Sequence, residues 1–206
     1  GVSEIGGLSG SNHGGATISR CYAACTVLAD DRAGGLVGVN AGISGSGRGG
    51  GSYISHVAIV SDCYSIVLSG SHVSGLLVGE NGRDSGMYPC PSLIKNCYAS
   101  CEGSEMLTPV ALVGHNWLLA AATVLDCFWD AECSGVVDDA EGGAPKTTAE
   151  LQIASTFHRW RGCGDEPIWT IDEGNDYPRL YWENGPGEVI EPVVLSNRLS
   201  GSGTTD

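Results

Sequence analysis

Basic residues are scarce in this sequence. Its 206 residues include 10 Lys and Arg against 24 Asp and Glu, so the formal net charge is −14. Binding to nucleic acid or to an anionic membrane surface needs clustered Lys and Arg, and the composition argues against both. No apolar run reaches the ~18 residues that a membrane-spanning helix needs, so we expect no membrane insertion. Glycine is frequent but lacks the three-residue period of collagen.

The chain also lacks a charged and then apolar leader, and it begins directly at Gly1. We therefore expect a processed mature protein or an excised piece. Nine cysteines among few charged residues favour an oxidising environment, either extracellular or at the cell surface. Because nine is odd, at least one thiol of a monomer stays free or pairs with another chain. The length suits one large domain, or a repeat array with a cap.

Two short elements recur and alternate along the chain. Leu-x-Gly-x-Asn occurs four times and Cys-aromatic occurs four times. The separation from each of these Cys residues to the next Asn is 19, 18 and 19 residues, whereas the separation from Asn to the next Cys varies from 9 to 23. The part of each repeat from Cys to Asn therefore has a nearly fixed length and can stack in register, whereas the part from Asn to Cys varies in length and can form loops. We call these the fixed half and the elastic half, and their combination is typical of a solenoid.

The fixed half predicts strands. The segment Gly34–Gly38 is a poor helix because each interior glycine costs about 1 kcal/mol relative to alanine, and Val57–Val67 is rich in β-branched residues without a helical period. We predict an all-β fold, a right-handed parallel β-solenoid of about four coils, over residues 1–130. Equivalent residues would form ladders along its axis, with asparagine amides bonding from coil to coil. The predicted ladder residues are Cys21, Cys63, Cys97, Cys127, Asn12, Asn40, Asn81 and Asn116.

The cysteines allow two interpretations. One is a buried stack of small apolar side chains, and the other is a set of disulfides or a metal site. Cys21 and Cys25 are four residues apart, about 13 Å in a strand, and a disulfide needs less than ~7 Å. Zinc would need a second cysteine pair facing the first, and Val67 interrupts the column. The better disulfide candidates lie in loop-like or terminal sequence, with connectivity left open: Cys90, Cys133 and Cys163.

The C-terminal part differs in charge and in aromatic content. The net charge is −3 before residue 126 and −11 from there on, and four of the five tryptophans lie in this second part. We predict an irregular cap over residues 131–187, with one short helix that begins after Thr147 and ends near Phe157. This cap would cover the exposed edge of the last coil. Residues 188–206 are predicted to be a flexible tail after a terminal strand that contains Val189, Ile190, Val193, Val194 and Leu195.

The glycine-rich elements carry a family resemblance. Gly35-Leu36-Val37-Gly38, Leu76-Leu77-Val78-Gly79 and Ala111-Leu112-Val113-Gly114, each followed by Cys-Tyr or Cys-Phe, resemble the GLUG motif of large bacterial surface and secreted proteins. Phe128-Trp129-Asp130 and Tyr177-Pro178-Arg179-Leu180 resemble the segment that closes such arrays. The likeness spans about residues 5–182. It implies a β-solenoid outside the cell and no defined chemistry.

Catalytic motifs are missing from the sequence. The histidines form no HExxH or paired ligand spacing, and no Gly-x-Ser-x-Gly elbow is followed by an acid and a histidine in order. The acidic residues of the repeats, Glu80 and Asp62 among them, do not recur at one repeat position. Asp172 and Asp176 are weak calcium candidates, because their segment is already explained as a turn by its Gly and Asn. We therefore expect no enzyme activity and no cofactor other than, at most, calcium.

Three functions fit these patterns. The preferred hypothesis is a non-enzymatic structural protein that self-associates, head to tail or by strand addition, in a surface fibre or surface layer. The alternative is an adhesin that binds glycan or another surface protein through the loops Gly42–Ser55 and Gly82–Pro91, with Tyr53 and Tyr88 stacking on sugars. A polysaccharide-cleaving enzyme comes third and would need two close carboxylates in a groove.

Overall fold

The fold is mostly β, as the sequence predicted. The computed structural model describes residues 3–29, 31–46, 53–71, 73–83, 90–102, 110–117, 121–138, 141–160 and 166–191. Most strand pairs among these residues are parallel. No helix in these ranges is long and apolar enough to cross a membrane.

Three parallel sheets contain most of the strands. Sheet A comprises β2 (Ser9–His13), β6 (Val37–Ala41), β11 (Val78–Asn81) and β14 (Val113–Asn116). Sheet B comprises β3 (Thr17–Ser19), β9 (Ala58–Ser61), β12 (Ser92–Lys95) and β15 (Ala122–Leu125). Sheet C comprises β4 (Tyr22–Leu28), β10 (Tyr64–Ser71), β13 (Tyr98–Cys101), β16 (Phe128–Asp130) and β17 (Ala144–Lys146).

The chain visits these sheets in the same order four times. Each passage adds one strand to sheet A, then to sheet B, then to sheet C, and we call these passages repeats 1 to 4. Two further strands, β1 (Ser3–Gly6) and β5 (Asp31–Gly34), pair with each other in parallel, and each directly precedes a strand of sheet A in the chain. The register keeps equivalent residues opposite one another, with Asn40 between Asn12 and Asn81, and Tyr64 between Tyr22 and Tyr98.

Repeat 2 contains an antiparallel hairpin. Its strands are β7 (Ile43–Ser46) and β8 (Tyr53–His56), which pair only with each other among the described residues. The hairpin lies in the longest gap between an Asn and the next Cys, so the elastic half of the repeat accommodates it without changing the register of sheets A and B.

The glycine of each Leu-x-Gly-x-Asn element is required by close backbone contact. A Cβ atom at Gly10, Gly38, Gly79 or Gly114 would lie 2.5 to 2.7 Å from a backbone atom of a neighbouring segment. No side chain fits such a gap without displacing the backbone. The strand of the preceding segment therefore packs directly on the backbone of sheet A, and the repeated glycine permits it.

The interior between the sheets is apolar. Leucines of the repeated element are fully buried in it, together with β-branched residues of sheets B and C, namely Leu36, Leu77, Leu112, Val60, Ile94 and Val67. Burying a side chain of this size stabilises the fold by about 1.5–3 kcal/mol, so this core is the main favourable contribution from the repeats.

A left-handed residue precedes each Cys-aromatic element. Arg20, Asp62, Asn96 and Asp126 have φ angles of 53°, 53°, 50° and 49°. Asp and Asn tolerate this region better than most residues because their short side chains hydrogen-bond locally, and here Asn96 Nδ2 donates to Asp62 Oδ1 at 3.0 Å. These residues make the corner that turns the chain from sheet B into sheet C.

The C-terminal part contains two short α-helices, whereas we predicted one. The predicted helix is α2 (Thr148–Leu151), capped by Thr147 and Glu150 and continued by a 3-10 turn at Ala154–Phe157. The additional helix is α1 (Ala131–Ser134). The Asp130 side chain accepts the Glu132 and Cys133 N–H groups, and Gly135 ends the helix in a left-handed conformation. Asp130 and Gly135 are ordinary helix start and stop residues, which our reading of the sequence missed.

The aromatic residues of the cap pack against the side of sheet C. Residues 166–191 form a small antiparallel sheet of β18 (Trp169–Ile171), β19 (Arg179–Leu180) and β20 (Glu188–Val189), with a 3-10 turn at Tyr181–Glu183. Its buried residues join Phe157 and Trp160 in one cluster with Tyr64 and Tyr98. The repeated tyrosines form an apolar column on the outer face of sheet C, and the cap buries this column.

Candidate functional site

The predicted asparagines form one hydrogen-bonded column. Asn12 Nδ2 donates to Asn40 Oδ1, Asn40 Nδ2 to Asn81 Oδ1 and Asn81 Nδ2 to Asn116 Oδ1, each at 2.9 Å. All four side chains are buried. The column has a direction, because every amide donates towards repeat 4. Its acceptor end is Asn12 Oδ1, to which no described residue donates a hydrogen bond.

The sheets are covered at the repeat 4 side. The Asn116 N–H donates to the Glu141 carboxylate, and β17 adds a fifth strand beyond β16. Gly142 and Gly143 come so close to Val124 and Leu112 that a Cβ atom would lie 2.9 and 3.1 Å from them. The segment Glu141–Lys146 therefore closes this end of the described structure.

The opposite side, which we call the open edge, is different. It consists of β2, β3 and β4, each of which has one strand neighbour among the described residues. These three strands contain no Asp or Glu, although the chain has 24. Protein sheet edges are usually protected by charges, proline, bulges or a covering segment. The open edge has an uncharged β-prone sequence and none of the first two protections.

The four ladder cysteines also lie at equivalent positions. Each directly precedes a residue of the aromatic register, and each thiol donates to the carbonyl oxygen two residues earlier at 3.1 Å. The neighbouring Cys97 thiol and burial raise the pKa of Cys63 far above its ordinary value, and burial raises the pKa of Cys97 and of Cys21. Cys21, Cys63 and Cys97 are therefore protonated thiols, which are poor nucleophiles and poor metal ligands.

We expect this burial to protect Cys63 and Cys97 from alkylation. Iodoacetamide at about pH 8 should leave both unmodified in the native protein and modify both in urea, because only the thiolate reacts and these thiols stay protonated. Peptide mapping by mass spectrometry measures the modification site by site. Cys21 and Cys25, which are half-buried, serve as internal controls and should react sooner. Equal rates at Cys97 in native and unfolded protein would contradict this arrangement.

One disulfide joins described residues, between Cys101 and Cys133. Of the three predicted candidates, Cys133 is therefore bonded, and its partner Cys101 was not among them. Cys90 is a thiol, buried beside Val39 and Ala41, so the predicted disulfide is not seen there. Cys163 lies outside the described residues. A cross-link across 32 residues restricts the unfolded chain and contributes about 3–4 kcal/mol, and it fastens α1 to repeat 3.

Two acidic residues of the repeats, Glu4 and Glu80, are engaged in ion pairs. Glu80 accepts Arg32 Nε at 3.0 Å and Trp117 Nε1 at 2.9 Å. Glu4 accepts Arg32 and Arg83, and the hydrogen bond from Arg83 lowers its pKa below the ordinary value. Both carboxylates are held by guanidinium groups, and the lowered pKa favours the ionised form of Glu4. A general acid of a glycosidase needs instead a raised pKa, so this cluster does not support the enzyme hypothesis.

The calcium candidates are both used in a turn. Asp172 Oδ1 accepts Asn175 Nδ2 at 3.0 Å, and its carbonyl oxygen accepts two backbone N–H groups. Asp176 Oδ2 accepts Arg179 Nε and Nη2 at 3.2 and 3.0 Å. A cation would have to displace Arg179. Within the described ranges, no group of three or more His, Cys, Asp or Glu side chains is placed to hold a metal.

The predicted assembly strand is only partly described. Val189 belongs to β20, and Ile190 is buried in the cap with its N–H bonded to Trp169 O at 3.0 Å. Val193, Val194 and Leu195 lie outside the described residues. Donation of this strand to another copy would require Val189 and Ile190 to leave their present partners, at the cost of the buried area of Ile190.

The predicted binding loops are described in part. Gly42–Ser55 contains β7 and the start of β8, and the side chain of Tyr53 is not described. Most of Gly82–Pro91, with Tyr88, lies outside the described ranges. The adhesin hypothesis therefore finds no described aromatic surface in these loops.

An exposed aromatic cleft lies elsewhere, between repeat 1 and the cap. Its volume is about 350 Å³ and its walls include Arg20, Glu166, Tyr181 and Trp182. Trp182 stacks on Tyr22 with ring centroids 5.9 Å apart, and its Nε1 donates to Arg20 O at 3.2 Å. The exposed fractions of Trp182, Tyr181 and Tyr22 are 54%, 48% and 38%. The sequence signal was the crowding of aromatics at residues 177–182.

A second cleft, of about 560 Å³, lies between the ends of repeat 4 and the cap. Two of its cationic side chains are already paired: Arg159 Nε lies 3.4 Å from Asp126 Oδ1, and Lys146 Nζ lies 3.2 Å from Glu150 Oε1. This pairing cancels the charge that an anionic ligand would need, so the cleft has no clear ligand chemistry.

Comparison of the chain with known protein families, with curated proteins and with solved structures finds no match.

Proposed function

We propose that the protein is a non-enzymatic structural module of the cell exterior, built as a right-handed parallel β-solenoid of the GLUG type. Four repeats visiting three sheets in one order, with equivalent residues in register, support the coiled path. The leucines of the second, third and fourth glycine-containing elements are interior, whereas Leu8 of the first is exposed at the end of the array, and all four glycines allow close backbone approach. Nine cysteines, with a disulfide between the described residues Cys101 and Cys133, support an oxidising location.

The module self-associates through its open edge. The observation that carries this proposal is the presence of three edge strands, each paired on one side only among the described residues, that are free of acidic residues in a chain of net charge −14. The neighbouring terminal strand β1 contains Glu4, whose charge is paired with Arg32 and Arg83. Two such edges can approach without the repulsion that the rest of the surface would produce. Each strand pair that forms satisfies backbone groups on both copies, as in peptide recognition by strand addition.

The partner edge is that of a second copy. Head-to-tail stacking would place the open edge on the repeat 4 side, which Glu141–Lys146 covers. Two open edges facing each other give an isologous contact that closes at two copies. A surface fibre or layer built from such pairs needs one further contact, and this extension remains a prediction.

We expect the purified protein to be a dimer at micromolar concentration, and Ala24→Pro to make it monomeric. Tyr64, Tyr98 and Phe128 each donate their N–H to the cysteine carbonyl of the preceding repeat, so the equivalent Tyr22 N–H faces the open edge. Ala24, two residues further along β4, directs its N–H to the same side. Proline removes that donor and leaves the β4–β10 hydrogen bonds in place. Sedimentation velocity over a concentration series measures the change.

The matched control is Ala24→Thr, which adds a side chain of similar size and keeps the N–H. It should dimerise like the parent chain. Circular dichroism must show the same folded-state spectrum for all three proteins, so that loss of the dimer is not loss of the fold. A parent chain that stays monomeric at every concentration, or an Ala24→Pro variant that still dimerises, would overturn the proposed association.

A further inference from the structure

The column of tyrosines on the outer face of sheet C continues into the cap as one aromatic stack. Tyr98 and Tyr64 have centroids 5.0 Å apart, Tyr64 and Tyr22 4.9 Å, and Tyr22 and Trp182 5.9 Å. Tyr98 and Tyr64 are fully buried under the cap. Exposure rises along the stack, and at Trp182 more than half of the side chain is accessible. The stack therefore ends in an indole that has solvent where a further ring would fit.

Trp182 is held in place without being covered. Its Nε1 donates to Arg20 O, and the 3-10 turn that carries it starts with the Tyr181 N–H bonded to Ile168 O at 2.8 Å. The adjacent Tyr64 hydroxyl donates to the Glu183 carboxylate at 2.9 Å, which fixes the other end of the turn. A ligand that stacks on Trp182 therefore pays little side-chain ordering entropy.

The polar groups of the cleft indicate the ligand class. Arg20 Nη1 and Glu166 Oε2 lie 4.0 Å apart, and both side chains are substantially exposed. Together they offer donors and acceptors with no net charge, which suits hydroxyl groups better than a phosphate or a carboxylate. An aromatic face beside such groups suits the C–H face of a sugar ring. The cleft volume of about 350 Å³ is at the small end of ligand pockets.

We propose that this cleft, formed by Arg20, Glu166, Tyr181 and Trp182, is a binding site for a neutral oligosaccharide. The proposal does not depend on self-association, because it rests on the cap and on the side of repeat 1. It locates the contact away from the loops of repeats 2 and 3, and it uses side chains that the fold already holds in position.

The test is calorimetric titration of the full chain with neutral cello-, malto- and manno-oligosaccharides, with oligogalacturonate as the acidic comparison. At least one neutral series should bind, and oligogalacturonate should bind more weakly, because the chain is strongly acidic. Trp182→Ala should weaken binding at least tenfold, and Glu166→Gln several-fold. Val137→Ala, which truncates a still more exposed apolar side chain elsewhere, should bind as the parent does.

Two further measurements are needed to interpret a loss of binding. Thermal melts must show that Trp182→Ala stays folded, since its indole also contacts Tyr22. Ala24→Pro should still bind saccharide, which shows that binding does not require the dimer, although Tyr22 under the cleft belongs to β4 of the open edge. No binding by any neutral series at millimolar concentration, or equal binding by Trp182→Ala and the parent, would overturn the proposal.

Discussion

Gly35→Ala should destabilise the fold strongly. A Cβ atom at Gly35 would lie 2.0 Å from Leu76 O and 2.8 Å from Val67 Cγ2. The Leu76 carbonyl cannot move aside freely, because it accepts Ser65 Oγ at 2.7 Å, while the Leu76 N–H donates to Ala111 O at 2.8 Å. Overpacking in a core costs about 1–3 kcal/mol, and a clash with fixed backbone exceeds that range, so we expect a loss of at least about 3 kcal/mol.

Gly45→Ala is the matched control for this substitution. Gly45 lies in β7, and no heavy atom lies within 4 Å of a Cβ built there. The same chemical change should leave stability unaltered or raise it slightly, because alanine reduces the freedom of the unfolded chain. Urea unfolding followed by circular dichroism compares the two variants. A Gly35→Ala protein as stable as the control would mean that repeats 2 and 3 do not pack as closely as described.

The strand content followed from the sequence because the repeats are redundant. The elements Leu-x-Gly-x-Asn and Cys-aromatic each occur four times. Every position of the pattern is therefore observed four times, and a chance resemblance in one copy matters little. The register follows too, because the separation between Cys and Asn stays at 18 or 19 residues. The positions of the buried asparagines and cysteines follow from that register.

The corner before each cysteine was visible in the sequence and was missed. The four residues that precede Cys21, Cys63, Cys97 and Cys127 are Arg, Asp, Asn and Asp, and all four have positive φ. Asp and Asn are the non-glycine residues that most readily adopt that conformation. A polar residue at this recurring position therefore marks the turn.

The disulfide and the cap could not be read from the sequence. Cys101 and Cys133 are 32 residues apart, and the sequence spacing alone allows many pairings among nine cysteines. The cap packs against Tyr64 and Tyr98, contacts that join residues about a hundred positions apart. Neither contact has a local pattern, because both depend on how the irregular segment folds over a surface that the repeats first create.

Asn81→Ala should cost about 2–5 kcal/mol, because it interrupts the asparagine column at its centre. The substitution removes the hydrogen bonds from Asn40 Nδ2 and to Asn116 Oδ1, both 2.9 Å long. It leaves a donor and an acceptor in a fully buried position. Each unsatisfied buried group costs about 1–3 kcal/mol. Chemical denaturation measures the loss, and Asn175→Ala, at an exposed turn with one side-chain hydrogen bond to Asp172, should change stability little.

The direction of the column gives a sharper form of this experiment. In Asn81→Asp, a carboxylate would face Asn116 Oδ1, so an acceptor would oppose an acceptor, and burial would raise the folded-state pKa of the new Asp above its unfolded value of about 3.9. A raised folded pKa means that stability is retained at low pH and lost as pH rises through that pKa. The stability difference between Asn81→Asp and the parent should therefore grow between about pH 4 and pH 7. A difference that stays constant over this range would show that residue 81 is not buried within a hydrogen-bonded column as described.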